Sequence, residues 1–446
     1  MTKPLPEDFL RYTEPLFGPE RFARFMAAMD EEPPVSIRVN RRKEGGGWRV
    51  EGGERIVPWC DDGFYLPRRP NFTFDPLLHA GCYYVQEAAS QFICHVVKSI
   101  LPPPSTHHLP PSHVLDLCAA PGGKSTALRS VLPADCLLVS NEPVRQRAQV
   151  LLENMTKWGH PGSVVTNCHG RDFVRAGLTG LFDLIVCDVP CSGEGMFRKD
   201  PDSIGEWSLD NVMRCQQLQR QIVGDIWPCL RPGGIMIYST CTYNTKENEE
   251  NVRWICEQTG ADIIAMPTEE EWGITGSLLA GFDAPVYRFI PGLTRSEGLF
   301  MAVLRKRDDD GKATSSRQRS SGQRFQALQP LSNDSSGRRF QALHSKDNNP
   351  QPSEALSVTL DRNKYPIVEL PYPTAIAYLR REAITLPSDT PKGHVIVAFD
   401  GHPLGFVKNI GTRANNLYPR EWAIRSSHVP ERYEPILASC IAPPMC

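Results

Sequence analysis

The sequence has few of the features that mark membrane, secreted or metal-binding proteins. No run approaches the ~18 consecutive apolar residues that a membrane-spanning helix needs, and residues 1–17 contain acids and prolines where a signal peptide has its apolar core. The 14 cysteines include no CxxC pair and no Cys/His cluster with zinc spacing. These absences favour a cytoplasmic protein that binds no metal and does not contact a membrane, with most thiols buried and inert.

An excess of charge of one sign is also missing. The 49 basic and 51 acidic residues give a net charge of −2, so the overall charge does not indicate a nucleic-acid partner. Locally the balance differs, because four basic residues lie in and after a predicted strand at 35–39: Arg38, Arg41, Arg42 and Lys43. Two interpretations remain open for them, contact with a phosphate backbone and the solvated end of a strand.

The order of the predicted elements favours an α/β fold. Strands are predicted at 114–117, 136–140, 163–168, 181–187, 235–240, 286–290 and 298–304, and helices at 83–101, 125–132, 144–158, 209–230 and 246–259. From residue 114 to residue 305 the two types alternate, which predicts a Rossmann-like, mostly parallel, doubly wound sheet. The last two strands are close enough in sequence to form an antiparallel hairpin at its edge.

Composition divides the chain into four parts. We predict a small α+β unit at 1–75, the doubly wound domain at 76–305, a flexible basic linker at 306–355 and a small β-rich unit at 356–446. The linker is rich in Ser, Gln, Arg and Asn and contains the sequence RFQAL twice, at 324–328 and 339–343. The repeat is either a duplicated docking segment or duplication within a linker.

The C-terminal unit combines a hairpin with basic and aromatic residues. The hairpin is predicted over 394–407, with Asp400 and Gly401 at its turn. The residues that follow it include Lys408, Arg413, Arg420 and Arg425, interleaved with Tyr418 and Trp422. Such loops suit RNA, and a solvated basic face is the alternative.

The segment VLDLCAAPGGKS at 114–125 is a strand, a glycine turn and the start of a helix, which is the arrangement of a nucleotide-type site. A P-loop would need glycine where this chain has Cys118, so an NTPase is only a minor alternative. Glu142 and Asp172 each follow one of the next two predicted strands, where acids accept hydrogen bonds from a ribose and from an exocyclic amine. The three positions together predict a pocket for an adenosine-bearing cofactor, against the plainer interpretation of a connecting turn.

Two cysteines follow two neighbouring predicted strands beside this pocket. Cys191 lies in DVPCSGEG at 188–195, and Cys241 lies in STCTYN at 239–244. A thiolate nucleophile needs partial exposure and favourable electrostatics, and a loop at a strand end supplies both. We therefore favour a chemical function for these two thiols over simple packing.

Three segments resemble the signatures of the RNA cytosine-C5 methyltransferases, with the bacterial ribosomal RNA methyltransferase F group as the nearest match. They are CAAPGGK at 118–124, DVPCSGEG at 188–195 and STCTYNTKENEENV at 239–252. The resemblance covers roughly residues 1–305 and, more weakly, the C-terminal unit. Val189 departs from the family pattern, which has alanine or proline there, but Asp188, Pro190 and Cys191 are intact.

The resemblance implies an enzyme that transfers a methyl group from S-adenosyl-L-methionine to carbon 5 of cytosine in RNA. It implies Cys241 as the nucleophile, Cys191 as the thiol that assists product release, and Asp188 between cofactor and base. The implied cofactor contacts are Cys118, Ala119, Ala120, Pro121, Gly122, Gly123, Lys124, Glu142, Asp172 and Asp188. The expected partner is small-subunit ribosomal RNA, with transfer RNA as the nearest competitor, bound by a monomer through N-terminal and C-terminal RNA-binding domains.

Other functions stay open at this point. A DNA or nucleoside cytosine methyltransferase would attack through Cys191, and the presence of Cys241 favours the RNA family. An inactive RNA-binding scaffold would keep the fold, and the presence of both cysteines, Glu142 and Asp172 argues against it. Lys199 and Arg198 fit either phosphate binding or a solvated loop.

Overall fold

The computed structural model describes residues 4–43, 47–52, 55–101, 111–308, 349–426, 428–430 and 432–439. Most of the predicted linker, including both RFQAL segments, lies outside the described residues.

The N-terminal unit consists of two helices, a four-stranded sheet and one short helix. The elements are α1 (Glu7–Phe17), α2 (Pro19–Met29), β1 (Val35–Val39), β2 (Trp48–Val50), β3 (Arg55–Val57), β4 (Cys60–Leu66), α3 (Pro76–His79) and β5 (Tyr83–Val85). The sheet order is β3-β4-β1-β5. The helices bury Phe9, Phe17 and Phe25 in a cluster with Trp207 and Tyr243, so they cover loops of the next domain.

One sequence prediction is wrong here. A helix was expected over 83–101, but Tyr83–Val85 is strand β5, paired antiparallel with Ile37 to Val39 of β1, and the helix α4 spans only Phe92–Ile100. Two tyrosines and a valine suit a pleated strand, and the long-range pairing with β1 decides the outcome. The predicted domain boundary at residues 75 and 76 stays a prediction, and β5 lies beyond it.

The central domain is a mixed eight-stranded sheet with helices on both faces. Its elements after α4 are β6 (His113–Asp116), α5 (Gly123–Val131), β7 (Leu137–Asn141), α6 (Arg145–Trp158), β8 (Ser163–Thr166), α7 (Gly170–Arg175), β9 (Phe182–Asp188), α8 (Ser203–Glu206), α9 (Leu209–Ile226), β10 (Leu230–Thr240), α10 (Glu249–Thr259), β11 (Asp262–Ile263), β12 (Val286–Phe289) and β13 (Leu299–Arg305).

The strand order confirms the predicted fold. The sheet runs β11-β13-β10-β9-β6-β7-β8, with β12 paired to β13. The five strands from β10 to β8 are parallel, and β12 and β13 form the predicted antiparallel hairpin. The chain order reverses on either side of β6, because β7 and β8 lie on one side of it and β9 and β10 on the other. In doubly wound sheets the ligand crevice opens at that reversal, beyond the carboxyl ends of the strands.

The C-terminal unit is a small sheet packed on the N-terminal unit. Its elements are α11 (Pro352–Leu356), β14 (Ile367–Glu369), α12 (Tyr372–Leu379), β15 (Gly393–Phe399), β16 (His402–Asn409), β17 (Ala414–Asn416) and β18 (Leu437–Ser439). The predicted hairpin is confirmed as β15 and β16, and its turn residues Asp400 and Gly401 both have positive φ.

The N-terminal and C-terminal units share one hydrophobic core. Residues of β1, β5 and α3 pack with residues of α12, β15 and β16 in a single buried cluster. Strand β18 also pairs with β2. The two small units thus form one body beside the central domain. Within the described ranges, no helix is long and apolar enough to cross a membrane.

Candidate active site

The turn between β6 and α5 is held in place by side chains of α6. Arg147 Nη2 donates to the carbonyl of Ala120 at 3.0 Å, and Asn154 Nδ2 donates to the carbonyl of Pro121 at 2.8 Å. Gly122 has φ of +112°, and a Cβ atom there would lie 3.3 Å from Leu151 Cδ1. The turn therefore needs glycine at this position for its backbone conformation. These contacts hold the backbone of residues 118–124 at the sheet reversal. The sequence analysis predicts the cofactor pocket at the same position.

The two acids predicted to complete the cofactor pocket differ in their surroundings. Glu142 follows β7, is buried, and accepts a hydrogen bond from the Val144 amide at 2.9 Å. Its Oε2 lies 3.6 Å from Nη1 of Arg147, the residue that also holds the turn. Asp172 caps its own helix α7, accepting from the His169 amide at 3.1 Å and from Arg175 at 3.2 Å. Glu142 is thus tied directly to the turn, whereas the polar contacts of Asp172 are local.

Asp116 lies at the site but is not among the residues predicted from the sequence. It ends β6, is fully buried, and accepts a hydrogen bond from Ser125 Oγ at 2.6 Å through Oδ2. Its Oδ1 has no hydrogen-bond partner among the described residues. Burial raises the pKa of Asp116 to about 7, and the charge of Asp188 adds to the shift. The sequence did contain a sign of this role, a single acid inside an apolar strand. Burying a carboxyl group without a partner costs free energy, so an acid at such a position indicates a function.

Asp188 joins the glycine turn to the loops that carry the cysteines. Its Oδ2 lies 2.8 Å from Lys124 Nζ, and its Oδ1 accepts from Ser239 Oγ at 2.7 Å. Burial lowers the pKa of Lys124, but the neighbouring Asp188 carboxylate outweighs this and raises it, with a further contribution from Cys241. Lys124 was predicted to contact the cofactor. In the structure its ammonium group forms an ion pair with Asp188.

Cys191 and Cys241 lie side by side. Their Sγ atoms are 3.0 Å apart, and the Cys241 amide donates to Cys191 Sγ at 3.3 Å. Strands β9 and β10 bring them together, because they pair in parallel with Asp188 opposite Ser239. The hydrogen bond to Cys241 raises the pKa of the Cys191 thiol well above its usual value, and burial adds to this. The raised pKa favours the protonated form of Cys191, and either Sγ atom can be the donor in the contact between the two thiols.

A buried network locks the two cysteine loops to each other. Glu194, in the loop after β9, accepts from the backbone amides of Tyr243 at 2.6 Å and Asn244 at 2.9 Å, in the loop after β10. Trp207 Nε1 donates to the other oxygen of Glu194 at 3.0 Å. Hydrogen bonds to a buried carboxylate are short and strong, so the separation of the two thiols is set by this clamp.

Glu247 is a second buried acid whose hydrogen bonds hold the same two loops. It accepts from the Ser192 amide at 3.0 Å, from Gln219 Nε2 at 2.7 Å and from Asn244 Nδ2 at 2.8 Å. Burial raises the pKa of Glu247 to about 7, and the charge of Glu194 adds to the shift. Both acids belong to the quoted signature segments, but their spacing in the sequence did not reveal that they support the thiols.

The basic residues predicted as possible phosphate contacts near the N-terminus are mostly structural. Arg38 is fully buried and donates to Gln86 Oε1 at 2.8 Å, Ser130 Oγ at 2.8 Å and Thr126 Oγ1 at 2.5 Å. It thereby fixes strand β1 to helix α5, which starts at the glycine turn. Both alternatives, a phosphate contact and a solvated strand end, are wrong for Arg38, because its guanidinium group is buried and hydrogen-bonded within the protein.

Two further basic residues of that run also serve the structure. Lys43 Nζ donates to the carbonyls of Ala80 and Leu356, each at 2.6 Å, and burial lowers its pKa to about 8. Arg42 contacts His160 at 3.0 Å and the Leu132 carbonyl at 3.2 Å. The run joins the three units and leaves few basic groups for a ligand.

Arg198 and Lys199, the two other basic residues predicted as possible phosphate contacts, differ in their surroundings. Arg198 forms a buried ion pair with Glu297 at 2.7 Å and also donates to the Ala28 carbonyl at 2.7 Å, so a phosphate does not reach it. Lys199 is exposed. The prediction of a phosphate contact is therefore wrong for Arg198 and stays a prediction for Lys199.

Known families match the chain in three successive parts. Residues 106–305 match 16S rRNA methyltransferase RsmB/F, residues 5–88 match the N-terminal domain of 16S rRNA methyltransferase RsmF, and residues 365–424 match the methyltransferase RsmF PUA domain.

Relatives of similar sequence are named ribosomal RNA small subunit methyltransferase F. The one from Pectobacterium atrosepticum is 34% identical over 303 residues, covering 63% of this chain and 58% of that protein. The one from Serratia proteamaculans is 33% identical over 328 residues, covering 69% of this chain and 65% of that protein. The chain thus spans about three fifths of the length of these curated relatives.

Solved structures support the fold. NSun6 from Pyrococcus horikoshii, crystallised with SFG, aligns with a TM-score of 0.55 at 20% identity, covering 68% of this chain and 99% of that one. A methyltransferase homologue from the same organism aligns with a TM-score of 0.53 at 24% identity, covering 68% and 100%.

Proposed function

Because successive parts of the chain match the models for 16S rRNA methyltransferase RsmB/F and for the N-terminal and PUA domains of RsmF, we propose that it belongs to this family and methylates carbon 5 of a cytosine in small-subunit ribosomal RNA. The observation that carries the proposal is the pair of thiols 3.0 Å apart, next to the Lys124–Asp188 ion pair. The protein acts as a monomer in the cytoplasm, and its two small units hold the RNA. Transfer RNA is the nearest alternative substrate.

Carbon 5 of cytosine is a weak nucleophile, and the cysteines address that difficulty. The Cys241 thiolate adds to carbon 6, which moves the ring electrons to carbon 5 and lets it attack a methyl group. Loss of the carbon-5 proton then returns the electrons and breaks the bond between sulfur and carbon 6, with Cys191 assisting release. The raised pKa of Cys191 favours the protonated form of that thiol, so we assign the attack on carbon 6 to Cys241.

Asp188 is the residue that we expect to contact the target cytosine. With one oxygen on Lys124 and the other on Ser239, its carboxyl is held in one orientation. We propose that it accepts a hydrogen bond from the exocyclic amine, or from nitrogen 3 once that atom is protonated, of a cytosine whose carbon 6 faces Cys241, which favours addition. The base has to leave its stack to reach this position, so the substrate is a single-stranded or locally opened RNA.

The residues around the glycine turn fit S-adenosyl-L-methionine. When bound, this cofactor supplies a methyl group activated by a sulfonium leaving group. Residues 118–124 and Glu142 surround the sheet reversal, and Asp116 offers a buried carboxyl oxygen without a partner, which suits a cationic ligand. Asp172 is proposed as a further contact on the resemblance, although its carboxylate caps helix α7.

The affinity for S-adenosyl-L-methionine is expected to depend on pH through Asp116. Below about pH 7 the free protein holds a proton on this raised-pKa carboxyl, and a cationic ligand must displace that proton. Affinity should therefore rise as the pH approaches 7, by at most about tenfold per pH unit, and level off above it. Calorimetry at several pH values measures this, with proton release in the acidic range.

Asp116→Asn provides the matched comparison, because it keeps the shape and removes the titration. It should bind S-adenosyl-L-methionine more weakly above pH 7 and lose the pH dependence. An affinity that rises equally with pH in both proteins would show that another group is responsible.

Methylation of isolated RNA tests the function itself. The protein is incubated with S-adenosyl-L-methionine and total RNA from cells that lack it, and bisulfite sequencing then locates new 5-methylcytosine. We expect one protected cytosine in small-subunit ribosomal RNA. Protection only in transfer RNA would show that transfer RNA, and not ribosomal RNA, is the substrate. If no RNA is protected although the protein still binds the cofactor, the result would support an inactive RNA-binding scaffold.

A further inference from the structure

Four arginines line one cavity of the C-terminal unit. The cavity has a volume of about 710 Å³ and is lined by Arg380, Arg381, Arg420, Ala423, Ile424 and Arg425. Arg380 pairs with Glu382 at 2.7 Å, and among the described residues the other three arginines have no ion pair. This arginine cavity therefore concentrates positive charge in a chain whose net charge is −2.

The cavity is formed by two segments that are joined by hydrogen bonds. The Ile424 amide donates to the Leu379 carbonyl at 3.0 Å, and Asn416 Nδ2 donates to the Tyr378 carbonyl at 2.8 Å and the Glu382 carbonyl at 3.2 Å. Tyr418 packs edge-on against both Tyr378 and Trp422. The backbone under the arginines is thus held by buried contacts, which places their side chains together before any ligand binds.

Arg381 occupies a position that ordinarily favours glycine. Its φ is +61°, in the left-handed region. Its amide donates to the Tyr378 carbonyl and the amide of Glu382 donates to the Ala377 carbonyl, both at 2.9 Å, which is the Schellman pattern at the end of α12. Any residue with a Cβ atom is disfavoured in this conformation, so an arginine here is consistent with a function for its guanidinium group.

We propose that the arginine cavity binds the phosphodiester backbone of the RNA substrate, an inference that rests on the proposed function. Guanidinium groups bind phosphate oxygens through paired hydrogen bonds and keep their charge at any physiological pH. The lining has no aromatic side chain on which a base would stack, so the cavity positions RNA and does not read its sequence. Lys408 and Arg413, predicted with Arg420 and Arg425, do not line it.

The first test uses Arg381→Gly, which removes the guanidinium and also relieves the backbone. The variant should unfold at the same temperature as the wild type or higher, and bind RNA about three- to tenfold more weakly near 0.1 M salt. Thermal unfolding and fluorescence anisotropy with a labelled fragment of small-subunit ribosomal RNA measure the two effects. Unchanged RNA affinity in the folded variant would overturn the proposal.

The second test counts phosphate contacts. Arg420→Gln combined with Arg425→Gln should lower the salt dependence, with the slope of log K against log salt falling by about 0.7 to 0.9 for each contact removed. Arg362→Gln combined with Lys392→Gln removes the same two charges from exposed positions of the same unit outside the cavity, and the affinity of this variant should stay within about twofold of the wild type. An equal loss of affinity in this control variant would show a general charge effect and contradict the proposal.

These measurements test the arginine cavity independently of the methyltransferase activity. If the wild-type chain methylates RNA and binds it tightly, while the cavity variants bind equally well, the proposal fails and the enzymatic function stands. Calorimetric heat with inorganic phosphate, together with unchanged RNA affinity in the variants, would assign the cavity to free phosphate and overturn the assignment to RNA.

Discussion

Cys241→Ala is expected to abolish methyl transfer, lowering the rate by at least about 10³-fold, because it removes the nucleophile that we propose. Without addition of sulfur to carbon 6, the ring does not become electron-rich at carbon 5. We propose Cys241 for this role because the neighbouring thiol, Cys191 at 3.0 Å, has a raised pKa that favours its protonated, less nucleophilic form.

RNA containing 5-fluorocytosine distinguishes the two thiols directly. Fluorine at carbon 5 prevents the last step, so wild-type enzyme should remain attached to the RNA and migrate slowly in a denaturing gel. Cys241→Ala should form no such adduct while binding S-adenosyl-L-methionine normally in calorimetry. An adduct that persists in Cys241→Ala and disappears in Cys191→Ala would make Cys191 the nucleophile, as in a DNA-type cytosine methyltransferase.

Cys191→Ala is expected to stop turnover after one cycle, with enzyme trapped on ordinary RNA. In the wild type the Cys191 thiol lies 3.0 Å from Cys241 Sγ and keeps its proton because of that contact. Alanine removes the thiol that contacts this sulfur in the structure. Methyl transfer should then proceed once, and release of the enzyme should slow by two or more orders of magnitude, about what loss of an acid–base group costs.

Single-turnover kinetics and gel analysis measure that trapping. We expect a burst of methylated RNA equal to the enzyme concentration. The covalent adduct between enzyme and RNA should then decay slowly. Cys256→Ala is the matched control, because it deletes a half-buried thiol of helix α10 away from the two loops. A Cys191 variant that releases its RNA as fast as the Cys256 variant would refute the release role.

The general architecture was predictable because its signals are local. Apolar strands followed by helices at regular intervals predict a doubly wound sheet, and Asp400 with Gly401 predicts a hairpin turn. The positions of Cys118 to Lys124, Cys191 and Cys241 at strand ends were predictable for the same reason. Parallel strands place their carboxyl ends at one edge, so residues that follow them converge.

The sequence by itself determined the fold class, the order of the units and the segments that meet at the sheet reversal. Tertiary structure decided what each charged group does there. The orphaned oxygen of Asp116, the clamp of Glu194 and the burial of Arg38 depend on neighbours that are distant in the chain.

The same holds for strand β5, which pairs with β1 more than 40 residues away, and for the arginine cavity, formed by segments near 380 and 420. The physical reason is that the pKa, exposure and partners of a side chain are set by the groups packed around it. Spacing along the chain specifies only local backbone preference and the face on which a residue lies.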